Sequence, residues 1–503
     1  MLVKNNGTAP ITINLRDGSS YLVAATMSVQ IPDAKLSMID DSATLIALFN
    51  AGTLTVTTDA GGVFTGFPTS VNASDSAEGK ILPALVAVGP GGSRQVVTQS
   101  GDVVSRDSFR HFTHRLFNAP ALGAFDTTSF RVIRWMPHVG KKLVRARYEN
   151  DTTSAWAGTM ATALSAGRAF ADHNPINAAG AAAAWSLHTG LAVPAGDANL
   201  ATNGKWGVAY TPYMLVDFPP AIDQAEGSYL YAGMKLSAGT GRGLVRNAGQ
   251  PFEEWETVLG TSIRQRARAL YQAGGQDFVT ANQNGMTTPV TGAFYCPVLQ
   301  FEVLDAANAL SILSVGDSTR GGQATTGFSW NFMNQWADSR SSLARPISCS
   351  NLGFAGKAGA FFLGFLEQML TDGSAIPDVL VIQPFSANSA SESAIQSDIA
   401  KAFSLAEAFE AKGSIVSFTT VGPAVNWFGA SAANEAVRLY GNAMIRASGR
   451  PVIDLDAVVT DGASPIAAIK PGYTPDGNHY NNAANADIAN IAVAPVMKRL
   501  LGI

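Results

Sequence analysis

Leu310-Ser311-Ile312-Leu313-Ser314-Val315-Gly316-Asp317-Ser318-Thr319-Arg320-Gly321-Gly322 is where the chain changes character. The run from Leu310 to Val315 is apolar enough for a strand buried on both faces. A Gly-Asp-Ser turn ends it. Open α/β sheets bind ligands beyond the carboxyl ends of their strands, so a serine held there is a candidate nucleophile. A serine hydroxyl is a weak nucleophile without a base. Whether Ser318 is one depends on the rest of the chain supplying that base, and donors for an oxyanion.

From residue 309 onward short apolar runs alternate with amphipathic stretches. The runs predict strands at Leu310–Val315, Pro346–Asn351, Val379–Gln383, Ser414–Val421 and Pro451–Leu455. Between and after them, helices are predicted at Phe328–Ser339, Gly359–Leu370, Glu392–Lys412, Ala432–Ser448 and Ala483–Leu500. Alternation of this kind predicts a parallel sheet covered on both faces, one doubly wound α/β domain over 309–503.

Upstream, the pattern is strands broken by turns. Over 110–308 they are predicted at Phe130–Met136, Leu143–Glu149, Trp206–Asp217, Ser228–Leu236, Val258–Tyr271 and Ala293–Leu304. Their spacing suggests a β-sandwich, with the Ala-rich stretch Asn177–Trp185 open to either helix or loop. Residues 61–109 read as a linker rich in Gly, Ser and Pro, followed by two short β runs. Residues 1–60 read as a small β module: Ile11–Leu15 and Thr53–Thr58 alternate, Asp17-Gly18 marks a turn, and Tyr21–Ile31 holds one or two strands. Thr44–Phe49 has the composition of a helical turn.

Composition sets the class. The chain has 503 residues, 47% hydrophobic and 14% charged, with a net charge of −4 and a mean hydropathy of +0.12. That is globular, long enough for about two to four domains, and without the basic field that draws nucleic acid. Cys296 and Cys349 make no disulfide framework and read as two buried thiols. No apolar run reaches membrane-spanning length, and no secretory signal is expected from Met1-Leu2-Val3-Lys4-Asn5-Asn6, which turns polar at once.

The chain holds six histidines, and only His479 lies beyond residue 309. Histidine, with an ordinary pKa of about 6.5, is the usual general base near neutral pH. His479 is therefore the imidazole available to Ser318 within its own domain, and Asp476, three residues earlier, is placed to orient it. A solvated loop histidine beside a turn aspartate is the plainer alternative. Two predicted strand ends offer oxyanion donors: Asn351-Leu352-Gly353-Phe354-Ala355-Gly356, and Gln383-Pro384-Phe385-Ser386-Ala387-Asn388-Ser389. Trp427-Phe428, after the fourth strand, could stack on a sugar ring or fill the core. Asp372, Asp378 and Asp398 read as caps or solvated charges. His111 and His114, three apart, could share a helix face, yet no third ligand lies near them, and no metal site is expected. Gly-Asp-Ser-Thr-Arg-Gly-Gly fits no phosphate-loop, dinucleotide or Gly-x-Ser-x-Gly pattern.

Taken together, these blocks resemble the SGNH (GDSL-type) hydrolases. Gly316-Asp317-Ser318 matches that family's nucleophile block, and Asn351, Gly353 and Gly356 match its second block. Asn388 matches its third, and Asp476 and His479 match its last Asp-x-x-His. The third block departs from the pattern: Ser389 stands where an aspartate is usual, and Pro384-Phe385-Ser386 replaces a glycine lead-in. The resemblance implies a flavodoxin-like three-layer domain and a serine esterase without metal or cofactor. It implies Ser318, His479 and Asp476 as the catalytic set, with an oxyanion hole from the N–H groups of Ser318 and Gly356 and the Asn388 side chain.

A β-sandwich ahead of such a domain looks like a carbohydrate esterase. The N-terminal module is similar to attachment modules of bacteriophage tail proteins. These resemblances imply a virion-associated O-acetylesterase acting on bacterial surface polysaccharide, docked to other tail proteins and homo-oligomeric, with a trimer suggested by analogy alone. Two alternatives stay open: a virion protein that grips glycan without turnover, and a lipase or thioesterase of the bacterial cytoplasm.

Overall fold

The computed structural model describes residues 2–14, 20–30, 53–57, 63–64, 95–97, 103–105, 110–115, 122–125, 129–168, 174–222, 227–246, 253–258, 262–272, 294–296, 298–305, 310–320, 331–341, 345, 347–389 and 391–502. The chain forms two compact units, Met1–Gly91 with Met497–Ile503, and Gly92–Val496.

In the smaller unit, Leu2–Asn5 pairs antiparallel with Ser28–Gln30 on one side and Leu54–Thr57 on the other, and Val63–Phe64 extends the sheet. Ile11–Asn14 and Ser20–Val23 form a hairpin of their own. The alternation read from the sequence is visible in the burial of Val3, Ile13, Val23 and Leu54. The Asp17-Gly18 turn, the Thr44–Phe49 helical turn and the linker of residues 65–94 lie outside the described residues.

The larger unit begins with an antiparallel sandwich. One sheet has the order 186–192, 159–167, 228–236, 129–136, 262–272, 253–258; the other runs 207–210, 140–150, 298–305, 110–115, with 214–218 also on the second strand. Phe130, Val132, Leu164 and Leu230 of the first sheet meet Val144, Tyr148, Phe301 and Val303 of the second in one buried cluster. Asn177–Trp185 is a loop with one isolated bridge, Ile176 to Ala182. Arg110–Arg115, which carries His111 and His114, is a strand rather than a helix.

The α/β part follows. Its strands are β1 (Leu310–Asp317), β2 (Ile347–Phe354), β3 (Val379–Ile382), β4 (Ile415–Thr419) and β5 (Val452–Ile453). All pair in parallel, in the order β2-β1-β3-β4-β5. That is the flavodoxin-like order, with its switch point beside β1. Every residue of β1 to β4 is buried, as two helix-covered faces require. The helices are α1 (Phe332–Arg340), α2 (Gly359–Met369), α3 (Glu392–Glu410), α4 (Ala432–Arg446), α5 (Leu455–Val459) and α6 (Asn482–Asp487), and α7 (Ala494–Leu501) begins in this unit and ends in the smaller one. Where the sequence suggests one last helix, a π segment at Ile488–Val493 joins α6 to α7.

Most helix starts are written locally. Asn331, Ser391, Ser431 and Asn481 each accept a backbone N–H from the first turn of α1, α3, α4 and α6. Helix α2 is the exception, because Ala358 precedes it and offers no side-chain acceptor. The same helix carries the sandwich on its other side. Trp206, 4% exposed, sits edge-on to Phe354, Phe361 and Phe365 with ring centres 5.7, 6.2 and 5.9 Å away. Nearby, Arg147 binds Glu149 at 2.8 Å and the Tyr210 hydroxyl at 2.7 Å, and its guanidinium also reaches Ser374.

Candidate active site

Ser318 follows β1 directly, on a turn held from below. The buried Asp317 carboxylate accepts the Thr319 N–H at 2.9 Å and the Thr319 hydroxyl at 2.7 Å through Oδ1. Its Oδ2 accepts Gln383 Nε2 at 2.7 Å and the Ser386 hydroxyl at 2.7 Å. One carboxylate thus ties the Ser318 turn to the loop after β3. Arg320, fully buried, donates to Ser314 Oγ at 3.2 Å and to Thr419, and lies over the Phe332 ring at 4.8 Å. Burial pulls its pKa down to about 10, opposed by the Asp317 charge. Its carbonyl accepts the Asn351 side-chain amide, which fixes the turn to β2.

The histidine arrives from the loop before α6. His479 Nε2 lies 2.9 Å from Ser318 Oγ, and His479 Nδ1 lies 2.6 Å from Asp476 Oδ2. Asp476 Oδ1 accepts the N–H groups of Asn478 and His479, each at 2.9 Å. Partial burial opposes the charge on Asp476, but these bonds and the imidazole outweigh it and hold the carboxyl at about 2. Gly477, at φ +77, makes the tight loop: a Cβ there would meet Val425 Cγ1 at 2.5 Å. The loop after β4 braces it further, with Val425 N–H donating to the Gly477 carbonyl at 3.2 Å.

Gly356 and Asn388 lie in the loops after β2 and β3, at the same carboxyl edge as Ser318. Gly356 is exposed at φ +67, in a turn closed by the Lys357 N–H on the Phe354 carbonyl at 3.2 Å. The Asn388 side-chain amide donates to the Lys357 carbonyl at 3.2 Å and to Ser386 Oγ at 3.1 Å. The two loops are therefore joined, and Ser386 fills the place of the glycine lead-in with a hydroxyl that orients Asn388.

The expectation that Phe428 meets substrate is corrected. Its ring is wholly buried, edge-on to Phe385 at 6.2 Å, in the core beneath the loop. Trp427 is half-buried and packs on that same core at 5.3 Å from Phe428. The exposed apolar residue beside the histidine loop is instead Val425, 54% exposed. The acidic residues read as caps or solvated charges also divide. Asp372 caps Ser374 N–H at 2.9 Å, whereas Asp378 and Asp398 are buried, and Asp378 accepts the Ser311 N–H at 2.8 Å. Cys349 is a buried thiol, and the side chain of Cys296 lies outside the described residues. Among the described residues no cluster of three His, Cys, Asp or Glu could hold a metal, and no helix is long and apolar enough to cross a membrane.

The chemistry open to this arrangement is specific. An imidazole hydrogen-bonded to a hydroxyl on one side and a carboxylate on the other can take a proton from the hydroxyl and return it to a leaving group. Gln383, Ser386 and Arg320 were not singled out in the sequence as functional. Their signal lies only in the strand ends they flank.

No protein-family model and no curated protein matches the chain. Several solved structures are similar to it in part. A GDSL-like lipase from Bacteroides thetaiotaomicron VPI-5482 is 18% identical over 39% of this chain and 89% of its own, with a TM-score of 0.29. A psychrotrophic esterase from Pseudoalteromonas sp. is 14% identical over 39% of this chain and 100% of its own, with a TM-score of 0.31. A lipase from a goat rumen metagenome is 15% identical over 37% and 97%, with a TM-score of 0.29.

Proposed function

We propose that the chain is a serine ester hydrolase of the SGNH type. The observation that carries this is the unbroken line from Ser318 Oγ through His479 to Asp476, at 2.9 and 2.6 Å. As Ser318 Oγ bonds to the ester carbon, its proton passes to His479 Nε2 and the carbonyl electron pair moves onto oxygen. That oxyanion faces the N–H groups of Ser318 and Gly356 and the Asn388 amide, which turns one N–H from Ser386 toward it. Each donor of this kind is worth about 3–4 kcal/mol. Collapse expels the alcohol oxygen, which takes the proton from His479 and leaves an acyl-serine. Water then gives its proton to His479 and its oxygen to the acyl carbon. Ser318 leaves with that proton, and the products are one carboxylic acid and one alcohol.

The substrate in this reading is an O-acetylated bacterial surface polysaccharide, with the chain part of a phage virion. In support stand an exposed carboxylate-histidine loop suited to a large substrate, a sandwich packed behind α2, and a small β unit at the front of the chain. Purified protein is expected to release acetate from such a polysaccharide, and Ser318→Ala to release none. A second reading is favoured by one observation, the double engagement of the Asn388 amide: a glycan-binding virion protein without turnover. Retained polysaccharide binding with no hydrolysis of p-nitrophenyl acetate would select it. Preference for long acyl chains over acetate would select a lipase or thioesterase.

A further inference from the structure

Gly356 and Asn388 come from different loops, and one buried carboxylate stands behind both. Asp398, on α3, is 4% exposed. Its Oδ2 accepts the Ser389 hydroxyl at 2.7 Å, and Ser389 Oγ in turn accepts the Gly359 N–H at 3.2 Å. The N–H groups of Gly359 and Ala360 also face the Asp398 carboxylate and favour its charge. The first turn of α2 leaves N–H groups without partners inside the helix, and Ala358 supplies none. The Gly359 N–H is met instead by Ser389, which a residue of a different helix holds in place. Gly359 leaves room for this and no more, since a Cβ there would lie 2.2 Å from Asp398 Oδ2. Ser389 is the residue after Asn388, and Gly359 lies three residues after Gly356.

We propose that Asp398 is a positioning residue for the oxyanion donors, fixing the Gly356 and Asn388 loops at one separation through Ser389 and the first turn of α2. This rests on the reading of Gly356 and Asn388 as oxyanion donors. The alternative for a buried carboxylate is a helix cap that matters only for folding. Against that stands the linkage itself: a cap needs the α2 N–H groups alone, whereas Asp398 also holds Ser389. Burial pushes the Asp398 carboxyl up to about 6, against the Ser389 bond, the Lys401 charge and the two N–H groups. Lys401, on the same helix, is shared with Glu367 of α2 at 3.4 Å. The turn at Ala387–Ser389 contributes no titratable group.

The test compares p-nitrophenyl acetate with its thiono analogue, in which sulfur replaces the carbonyl oxygen. Sulfur accepts hydrogen bonds poorly, so the oxo-to-thiono rate ratio reads the oxyanion donors. Asp398→Asn and Ser389→Ala are each expected to lower kcat on the oxo ester by about 10- to 100-fold, with KM within about twofold. The thiono rate stays near wild type, so the ratio falls by the same factor, and the double variant is no worse than the poorer single one. Ser389→Ala keeps the test open should Asp398→Asn fail to fold. Unchanged kcat in a folded variant, or an equal loss on both esters, overturns the proposal while Ser318-dependent turnover by the wild type still stands. No turnover of either ester by the wild type overturns the esterase reading, and this one with it.

Discussion

Asp476 does more than face an imidazole, because its second oxygen holds the backbone of the loop that carries His479. Asp476→Asn keeps the size and loses the charge, so it is expected to cut kcat by about 10³- to 10⁴-fold with little change in KM, measured on p-nitrophenyl acetate. The depressed carboxyl also fixes a pH window. Its stabilisation is present above the unfolded value of about 3.9 and is lost as pH falls through about 2. The Tm difference between wild type and Asp476→Asn should therefore be flat above about pH 5 and shrink below about pH 4. At this scale the sequence was legible where a residue type was scarce. One histidine beyond residue 309 left one imidazole for Ser318, and Asp476 stood three residues before it. It was not legible where abundant residues act across loops. Asp317, Gln383 and Ser386 meet only once β1 and β3 lie side by side. Phe428 showed the reverse failure: an aromatic after a strand reads alike whether it faces a ligand or the core.

Loops at this sheet edge are set by close approaches that tolerate no extra atom. Gly477→Ala places a methyl against Val425 and strains φ, so kcat is expected to fall by about 10- to 100-fold. Adding Val425→Ala should restore the steric part only, which steady-state kinetics on the single and double variants would show. Helix α3 carries a different signal. A carboxyl raised to about 6 binds protons more readily folded than unfolded, so wild-type stability declines as pH rises from about 4 to 6 and levels above that. Asp398→Asn lacks that slope, so the Tm of wild type relative to the variant should fall across that interval. Helix starts capped by their own Ser or Asn were readable in sequence, as at Ser391 and Ser431. The start of α2 was not, since its acceptor is Ser389, from the loop after β3 and held by Asp398 of α3. Ser389, where the resemblance led one to expect an aspartate, is the relay to that carboxylate.

Within the larger unit, the sandwich and the α/β sheet share a buried boundary. Asn203 and Gly204 press so closely on α2 that Gly364 has no space for a Cβ beside the Asn203 carbonyl. Trp206→Ala removes the ring packed among three phenylalanines and is expected to cost about 3–5 kcal/mol, read from the shift in denaturant midpoint. Because α2 begins beside Gly356, the proposed turnover of p-nitrophenyl acetate should be lost in that same transition rather than after it. A fragment beginning at residue 309 would expose Phe354, Phe361 and Phe365 and is expected to aggregate. The order of layers was legible, because the change from turn-broken strands to alternating strands and helices falls at Leu310. The strands Thr159–Gly167 and Ser186–Ala192 were missed, since small residues such as Ala and Gly weaken a β signal that only pairing completes. The ion pair of Arg147 with Asp372 was invisible because it joins distant segments of the chain.

The most direct measurement of the central claim is covalent labelling with a fluorophosphonate, followed by peptide mass mapping. The account predicts one phosphonyl group per chain, on Ser318, with labelling lost in His479→Ala. Ester turnover that persists while Ser318 stays unlabelled, or a label carried by another residue, would contradict it.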